Sequence, residues 1–308
     1  MISIVVPVYN ESGNITPLFN DLLEVGKYLD QAVEVIFVND GSSDDSQTEL
    51  NELTTSHPEA KFVRFTRNFG HQIAVMAGLE HARGEYIVLI DADGQDPPSL
   101  IKDLYEKLLT GYDIVYAQRE SRKGESWLKK ATAKWFYRIL DKITDIPIPK
   151  DTGDFRIMTA KVRDSLINMK EQHKFLRGQM AWLGFKQTSV LYQREERRGG
   201  ETGYSFRKML RFALDGITSF SRMPLRIATM MGFVCAIIGL VLIIYTLYSR
   251  FILKSYEPGW ASLMITIVFL GGIQLLSVGV IGEYISRMND NIRNRPLYVI
   301  EETNIEDD

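Results

Sequence analysis

Cysteine and histidine are scarce in this 308-residue chain, with one cysteine, Cys235, and four histidines. A lone thiol excludes an internal disulfide and cannot by itself build a zinc site. The scattered histidines form no serine–histidine–acid or cysteine–histidine pattern. Charge of either sign is not in excess: the net value is −3 at pH 7, which leaves no electrostatic footprint for nucleic acid. Neither G-x-G-x-x-G nor G-x-x-x-x-G-K-[ST] occurs, so a standard dinucleotide fingerprint and a P-loop both lack support. No basic n-region precedes an apolar stretch at the N-terminus; without a secretory signal the N-terminal part is expected to stay in the cytoplasm. Internal repeats, low-complexity stretches and a separable linker are also missing.

Charge is absent locally as well, in two long runs. Ile227–Ser249, between Arg226 and Arg250, and Pro258–Gly282, between Glu257 and Glu283, hold no charged residue. Each is long enough to cross a hydrocarbon core of about 30 Å as a helix rising about 1.5 Å per residue. A buried core pair is the plainer reading, but two such runs separated by a short loop favour a transmembrane hairpin. Arg207, Lys208, Arg211, Arg222 and Arg226 precede the first run, Arg287, Arg293 and Arg295 follow the second, and the loop offers Arg250 and Lys254. The positive-inside rule then puts both termini in the cytoplasm, and the protein in the cytoplasmic (inner) membrane. Gln274, with Gly271, Gly272, Gly279 and Gly282 nearby, suits close helix packing, either against the first span or in a homo-oligomer.

The first part alternates strand and helix signals. Ile2–Val8, Val33–Asn39, Lys61–Thr66, Tyr86–Ile90 and Asp113–Ala117 read as strands, with helices near Asn14–Leu29, Asp44–Ser56, Gln72–His81 and Ser99–Thr110. This is the pattern of βαβ units and predicts an α/β fold with a mainly parallel sheet flanked by helices. Ligands of such sheets bind beyond the strands' carboxyl ends. Pro7–Glu11, Asn39–Asp44 and Asp91–Gln95 all fall there, so three polar clusters are expected to share one crevice. Strand alternation would point Asp91 and Asp93 the same way with Ala92 opposite. Two carboxylates that close suit a hard divalent cation, Mg²⁺ or Mn²⁺, with Gln95 as a further oxygen donor. The plainer reading is an acidic turn ahead of the helix that Pro97-Pro98-Ser99 announces.

Val6-Pro7-Val8-Tyr9-Asn10-Glu11, Val38-Asn39-Asp40-Gly41-Ser42-Ser43-Asp44 and Asp91-Ala92-Asp93, in that order and spacing, resemble the inverting glycosyltransferases of family 2 with their GT-A, Rossmann-like fold. The resemblance continues through Ala117-Gln118-Arg119, Asp151-Thr152-Gly153-Asp154-Phe155-Arg156 and Arg197–Tyr204. With two C-terminal spans the chain looks like the polyprenyl-phosphate branch, which includes dolichyl-phosphate mannose synthases and, closer in likeness, bacterial bactoprenol glucosyltransferases. The likeness covers nearly the whole chain. It implies metal-dependent transfer of a hexose from a nucleotide sugar, UDP-glucose by preference, to a membrane polyprenyl phosphate.

By that resemblance Pro7, Tyr9, Glu11, Asp40 and Asp91 line the nucleotide-sugar pocket, and Asp91, Asp93 and Gln95 hold the metal. Asp93, Arg119, Asp154, Arg156 and Arg197 are assigned to the reaction, with Arg156 beside the acceptor phosphate. Asp40 is also a turn former in Asn-Asp-Gly, and Glu11 is also placed to cap the next helix. Position 203 is glycine where the family's R-x-x-G-x-[ST]-K-Y segment usually carries lysine, and Lys134 is a substitute phosphate contact. A lipid phosphate is already ionised near neutral pH and needs no general base, unlike a sugar hydroxyl. Attack opposite the departing diphosphate inverts the anomeric centre.

Two amphipathic stretches, Ser126–Leu140 and Phe206–Arg222, read as interfacial helices or as ordinary core helices. The expected organisation is a cytoplasmic catalytic domain over 1–205, a juxtamembrane helix over 206–226, spans over 227–249 and 261–282 joined by an extracytoplasmic loop over 250–260, and a cytoplasmic tail over 283–308. One rival is a processive polysaccharide synthase, but Gln179-Met180-Ala181-Trp182 lacks the arginine of a Q-x-x-R-W-type motif. Others are a GDP-mannose-dependent transferase and a non-catalytic membrane subunit that binds a nucleotide sugar.

Overall fold

A computed structural model describes residues 1–119, 152–193, 223–253 and 259–306. The elements run β1 (Ile2–Val8), α1 (Ile15–Tyr28), β2 (Val33–Asn39), α2 (Ser46–Ser56), β3 (Ala60–Phe65), α3 (His71–His81), β4 (Tyr86–Leu89), α4 (Leu100–Leu109) and β5 (Ile114–Arg119). After the first gap come β6 (Thr152–Thr159), α5 (Ala160–Ile167), α6 (Leu176–Leu183) and β7 (Gln187–Tyr192). Two long apolar helices, α7 (Met223–Tyr248) and α8 (Trp260–Arg293), precede β8 (Ile300–Thr303).

The strands form one sheet in the order β7-β5-β6-β4-β1-β2-β3-β8. β1, β2, β3 and β4 pair in parallel, as does β5 with β7. β6 runs antiparallel between β4 and β5, a placement the sequence pattern did not predict. The pleat of β1 explains the two cores: Ile4 and Val6 pack with α1, α2 and α4 on one face, while Val5 packs with α3, α5 and α6 on the other. On α1, Ile15, Leu18, Phe19 and Leu22 recur at helical spacing and are buried. α3 is apolar all round, Ala74 to Leu79 being buried, because it lies between the sheet and α5. Gly78 permits that approach, since a Cβ there would stand 2.2 Å from Val5 Cγ1.

α7 and α8 are long and apolar enough to cross a membrane, and neither apolar window is buried. A Cβ added at Gly271, Gly272, Gly279 or Gly282 would meet nothing within 4 Å, and Gln274 is exposed. α8 runs past the expected end of the second span to Arg293.

The segment assigned to a tail returns to the sheet instead. β8 pairs antiparallel with β3. Tyr298 stacks on Phe65 with centroids 4.8 Å apart and its hydroxyl donates to Glu80, Asn304 Oδ1 accepts from the Phe62 N–H at 2.7 Å, and Ile305 is buried. The end of α8 is tied to the loop before α6: the Gln172 N–H donates to Asn291 Oδ1 at 2.9 Å, and His173 pairs with Asp290 at 3.1 Å. Ser126–Leu140 with Lys134, and Arg197 with all of Phe206–Arg222, lie outside the described residues.

Candidate active site

Parallel strands deliver their carboxyl ends to one edge, and there the three expected clusters meet. A cavity of about 250 Å³ is lined by Pro7 and Val8 at the end of β1, Tyr9 and Glu11 after it, Asp40 after β2, and Asp91, Ala92 and Asp93 after β4. A fourth contribution, Asn68, Gly70, His71 and Ala74, comes from the turn after β3 and the start of α3.

Asp91 and Asp93 both line the cavity, but strand alternation is not the reason. β4 ends at Leu89, and the D-A-D run lies in a turn closed by Gly94 at φ +66°. The Gln95 N–H donates to Asp93 Oδ1 at 3.1 Å. Gln95 is not among the residues that line this cavity.

Asp40 is 3% exposed, and its carboxylate accepts the Phe69 N–H at 2.6 Å and the Gly70 N–H at 3.0 Å. Burial raises its pKa and those two amides oppose the rise without cancelling it. The turn role and the wall role thus coexist: Asp40 pins the loop after β3 while facing the cavity. Gly41 sits at φ +66° where a Cβ would come within 2.5 Å of the Arg67 carbonyl carbon. The first amides of α1 are met by Glu49 of α2, whose oxygens accept the N–H groups of Gly13 at 2.7 Å and Thr16 at 2.8 Å. Glu11 does not supply that cap; it accepts from Asn14 Nδ2 at 2.7 Å and lines the cavity.

Asp154, on β6, is a hub. Its carboxylate meets His71 Nε2 at 3.0 Å, Arg177 Nε at 3.0 Å and Arg156 Nη2 at 3.5 Å. Burial pushes its pKa up, but the charge of Arg177, the His71 hydrogen bond and the charge of Arg156 hold it well below the usual carboxylate range. His71 also stands 3.7 Å from Asp91. Burial lowers the imidazole's pKa, yet the Asp154 hydrogen bond and the Asp91 charge outweigh it and raise the value to about 9. Asp91 moves the other way from Asp154. Burial lifts it to about 6, with His71 opposing and Asp154, Asp96 and Asp93 adding repulsion.

The two described arginines assigned to the reaction lie on β5 and β6. Arg156 is 5% exposed and donates to the carbonyls of Asp154 at 3.0 Å and Gly153 at 2.9 Å. Its guanidinium is thus tied to the backbone of its own strand, 3.5 Å from the Asp154 carboxylate. Arg119, at the end of β5, lies beside Gly153 and Tyr192 and is not on the cavity wall. His71 and Arg177 were missed by sequence reasoning. His71 follows Asn68-Phe69-Gly70 at a strand's carboxyl end, so the topological rule that selected the other clusters also selects it. Arg177 carries no local signal.

The donor set suits a divalent cation. Two carboxylates stand on one cavity wall, and the pKa of Asp91 is raised by burial first and by its acidic neighbours second. Among the described residues no three acidic, histidine or cysteine side chains form a complete cage. Mg²⁺-type sites need none, since they take one or two carboxylates and complete their shell from water and substrate phosphates.

Residues 3–166 match glycosyl transferase family 2, and residues 223–288 match the GtrB C-terminal hairpin. The chain is 48% identical over 301 residues to the uncharacterized glycosyltransferase YkcC of Bacillus subtilis (strain 168), covering 98% of this chain and 93% of that one. It is 40% identical to the prophage bactoprenol glucosyl transferase homolog of Escherichia coli (strain K12), over 97% of this chain and 98% of the relative. The SfII prophage-derived bactoprenol glucosyl transferase of Shigella flexneri is 38% identical, over 98% of each. A mainly parallel sheet with an acidic crevice at its carboxyl edge is thus the frame of a glycosyltransferase. The chain belongs to glycosyltransferase family 2.

Proposed function

We propose that the protein transfers glucose from UDP-glucose to the phosphate of a membrane polyprenyl phosphate, with inversion at the anomeric carbon and with Mg²⁺ or Mn²⁺ as cofactor. One observation carries the reading: the crevice has carboxylates to spare for a metal but Asp154 and His71 are unsuited to act as bases. Asp154 is held ionised by Arg177, His71 and Arg156, so at neutral pH it has little tendency to take a proton. Burial lowers the pKa of His71, but the Asp154 hydrogen bond and the Asp91 charge raise it to about 9, which disfavours the imidazole as a base. An acceptor that arrives already ionised fits such a site, and the relatives' names support a lipid phosphate.

In this reading Asp91 and Asp93 hold the metal, which offsets charge on the departing diphosphate. Pro7, Tyr9, Glu11 and Asp40 receive the nucleotide, Asp40 keeping the loop after β3 in place. Asp154 orients His71 and Arg177 at the reacting edge. The work is electrostatic and geometric. α7 and α8 form the membrane hairpin, with the sheet on the cytoplasmic side by the positive-inside argument. Exposure of Gln274 and the α8 glycines supports a homo-oligomer.

The test is release of nucleoside diphosphate from UDP-glucose by detergent-purified protein with Mg²⁺ or Mn²⁺, with and without polyprenyl phosphate. Lipid-dependent release, and a β-linked product from the α-linked donor, are the expected results. Release from GDP-mannose alone would transfer the reading to mannose. Tight nucleotide binding without turnover of any donor would overturn it in favour of a binding subunit.

A further inference from the structure

Tyr192 closes β7 and links the acidic turn of the cavity to Arg119, which stands off the cavity wall. The turn carrying Asp91 and Asp93 follows β4, Arg119 ends β5, and β6 separates those strands. The Tyr192 ring is 6% exposed and meets Phe155 edge-on, with centroids 6.4 Å apart at 87°. Its hydroxyl donates to the carboxylate of Asp96, which is 1% exposed and lies on the same turn as Asp93. The same oxygen accepts from the Arg119 guanidinium. Room for that guanidinium comes from Gly153, where a Cβ would stand 3.4 Å from Nη2. Arg119 Nε is buried and has no hydrogen-bond partner among the described residues. In a buried network each such bond weighs more than in water.

We propose that Tyr192 is a positioning residue for the transfer reaction, fixing through one hydroxyl both the metal-binding turn and the aim of Arg119. The inference rests on the reading of Asp91 and Asp93 as the metal pair. Burial and the Asp96 charge push the phenol's pKa up to about 12, so it stays a hydrogen donor across the working range. Its loss leaves Asp96 and Arg119 to settle independently, and the turn loosens.

Tyr192→Phe keeps the ring on Phe155 and removes only the hydroxyl. The control is Tyr28→Phe, which removes an exposed phenol bonded to Lys102 away from the site. Mn²⁺ binding to the full chain in detergent with UDP is followed by electron paramagnetic resonance, beside steady-state turnover and thermal melting. Expected for Tyr192→Phe is about tenfold weaker Mn²⁺ binding and about tenfold lower kcat, the scale seen when groups supporting metal ligands are lost, with melting close to wild type. Asp96→Asn keeps an acceptor for the phenol and should fall between. Values for Tyr192→Phe equal to those of Tyr28→Phe, or losses matching only the unfolded fraction, overturn the proposal. A wild-type chain that binds no Mn²⁺ overturns the metal reading and this inference together. One that binds Mn²⁺ but turns over no donor overturns the donor reading alone, and the binding comparison still decides Tyr192.

Discussion

Buried polar networks sit at both ends of the sheet, and they are balanced in opposite senses. At the amino ends a single carboxylate, Glu34, is 5% exposed and fully engaged. Its oxygens accept from Ser3 Oγ at 2.5 Å, the Arg83 N–H at 2.8 Å and Lys61 Nζ at 2.6 Å, while the Gly84 N–H donates to Ser3 Oγ at 2.7 Å. Burial raises the Glu34 pKa, but the bonds from Lys61, Ser3 and Arg83 bring it below its ordinary value. At the carboxyl ends Asp91 faces Asp93, Asp96 and Asp154 with His71 as the cation beside it, and its pKa rises to about 6. One end is arranged for the folded chain alone. The other gathers several carboxylates around Asp91, the kind of place where real proteins depart from local optimality.

The sharpest way to break this contrast is at the carboxyl end. Asp93→Ala should lower turnover by about 10²–10³-fold, the range for removing one preorganised electrostatic group, with little change in melting. Measured sugar transfer at wild-type rate would remove the metal from the site. At the other end Glu34→Gln should do the reverse, costing about 1.5–3 kcal/mol of stability for lost bonds to a charged group while leaving turnover per folded molecule intact. Denaturant melts paired with active-site titration separate the two effects.

Asp91→Asn should stabilise the metal-free protein at pH 7 while abolishing activity. A pKa raised from 3.8 to about 6 means that ionised Asp91 disfavours the fold. The 28% exposure of the side chain lets water screen part of that repulsion, so the gain should be about 1–2 kcal/mol. Melting in chelator reads it. The smallest effect is on pH. Glu34, with its folded pKa lowered, contributes stability that is present above about 4.5 and lost as pH falls through the folded value. The Asp91 penalty is absent below about 3.8 and grows toward about 6. Glu34→Gln should therefore flatten the acid limb of wild-type stability, and Asp91→Asn should remove the decline at mildly acid pH.

The legible part of this chain was local. β1, β2 and the following helices announce themselves by apolar runs and turn residues, and the D-A-D run, Asp40 and Glu11 follow from strand ends. β6 was hidden because Thr152–Thr159 buries Arg156 in mid-strand, a charge that a periodicity argument counts against a buried strand. β8 was hidden for the opposite reason: Ile300–Thr303 is exposed throughout and reads as acidic tail. Arg177 reaches Asp154 only through the tertiary fold, so no spacing along the chain reports it. Even where the sequence placed Asp91 and Asp93 together correctly, the cause was a turn and not the pleat.

The pairing of β8 with β3 also sets an order of events during synthesis. β3 leaves the ribosome early, while its partner is translated after both apolar helices. Until then the outer edge of β3 exposes unpaired amides and carbonyls, a template for another chain. Completion of the sheet thus waits on delivery of the hairpin, and Tyr298 and Ile305 reach Phe65 and the core last. A chain stalled before that point has most of its crevice and an open flank, so it is prone to edge-to-edge association.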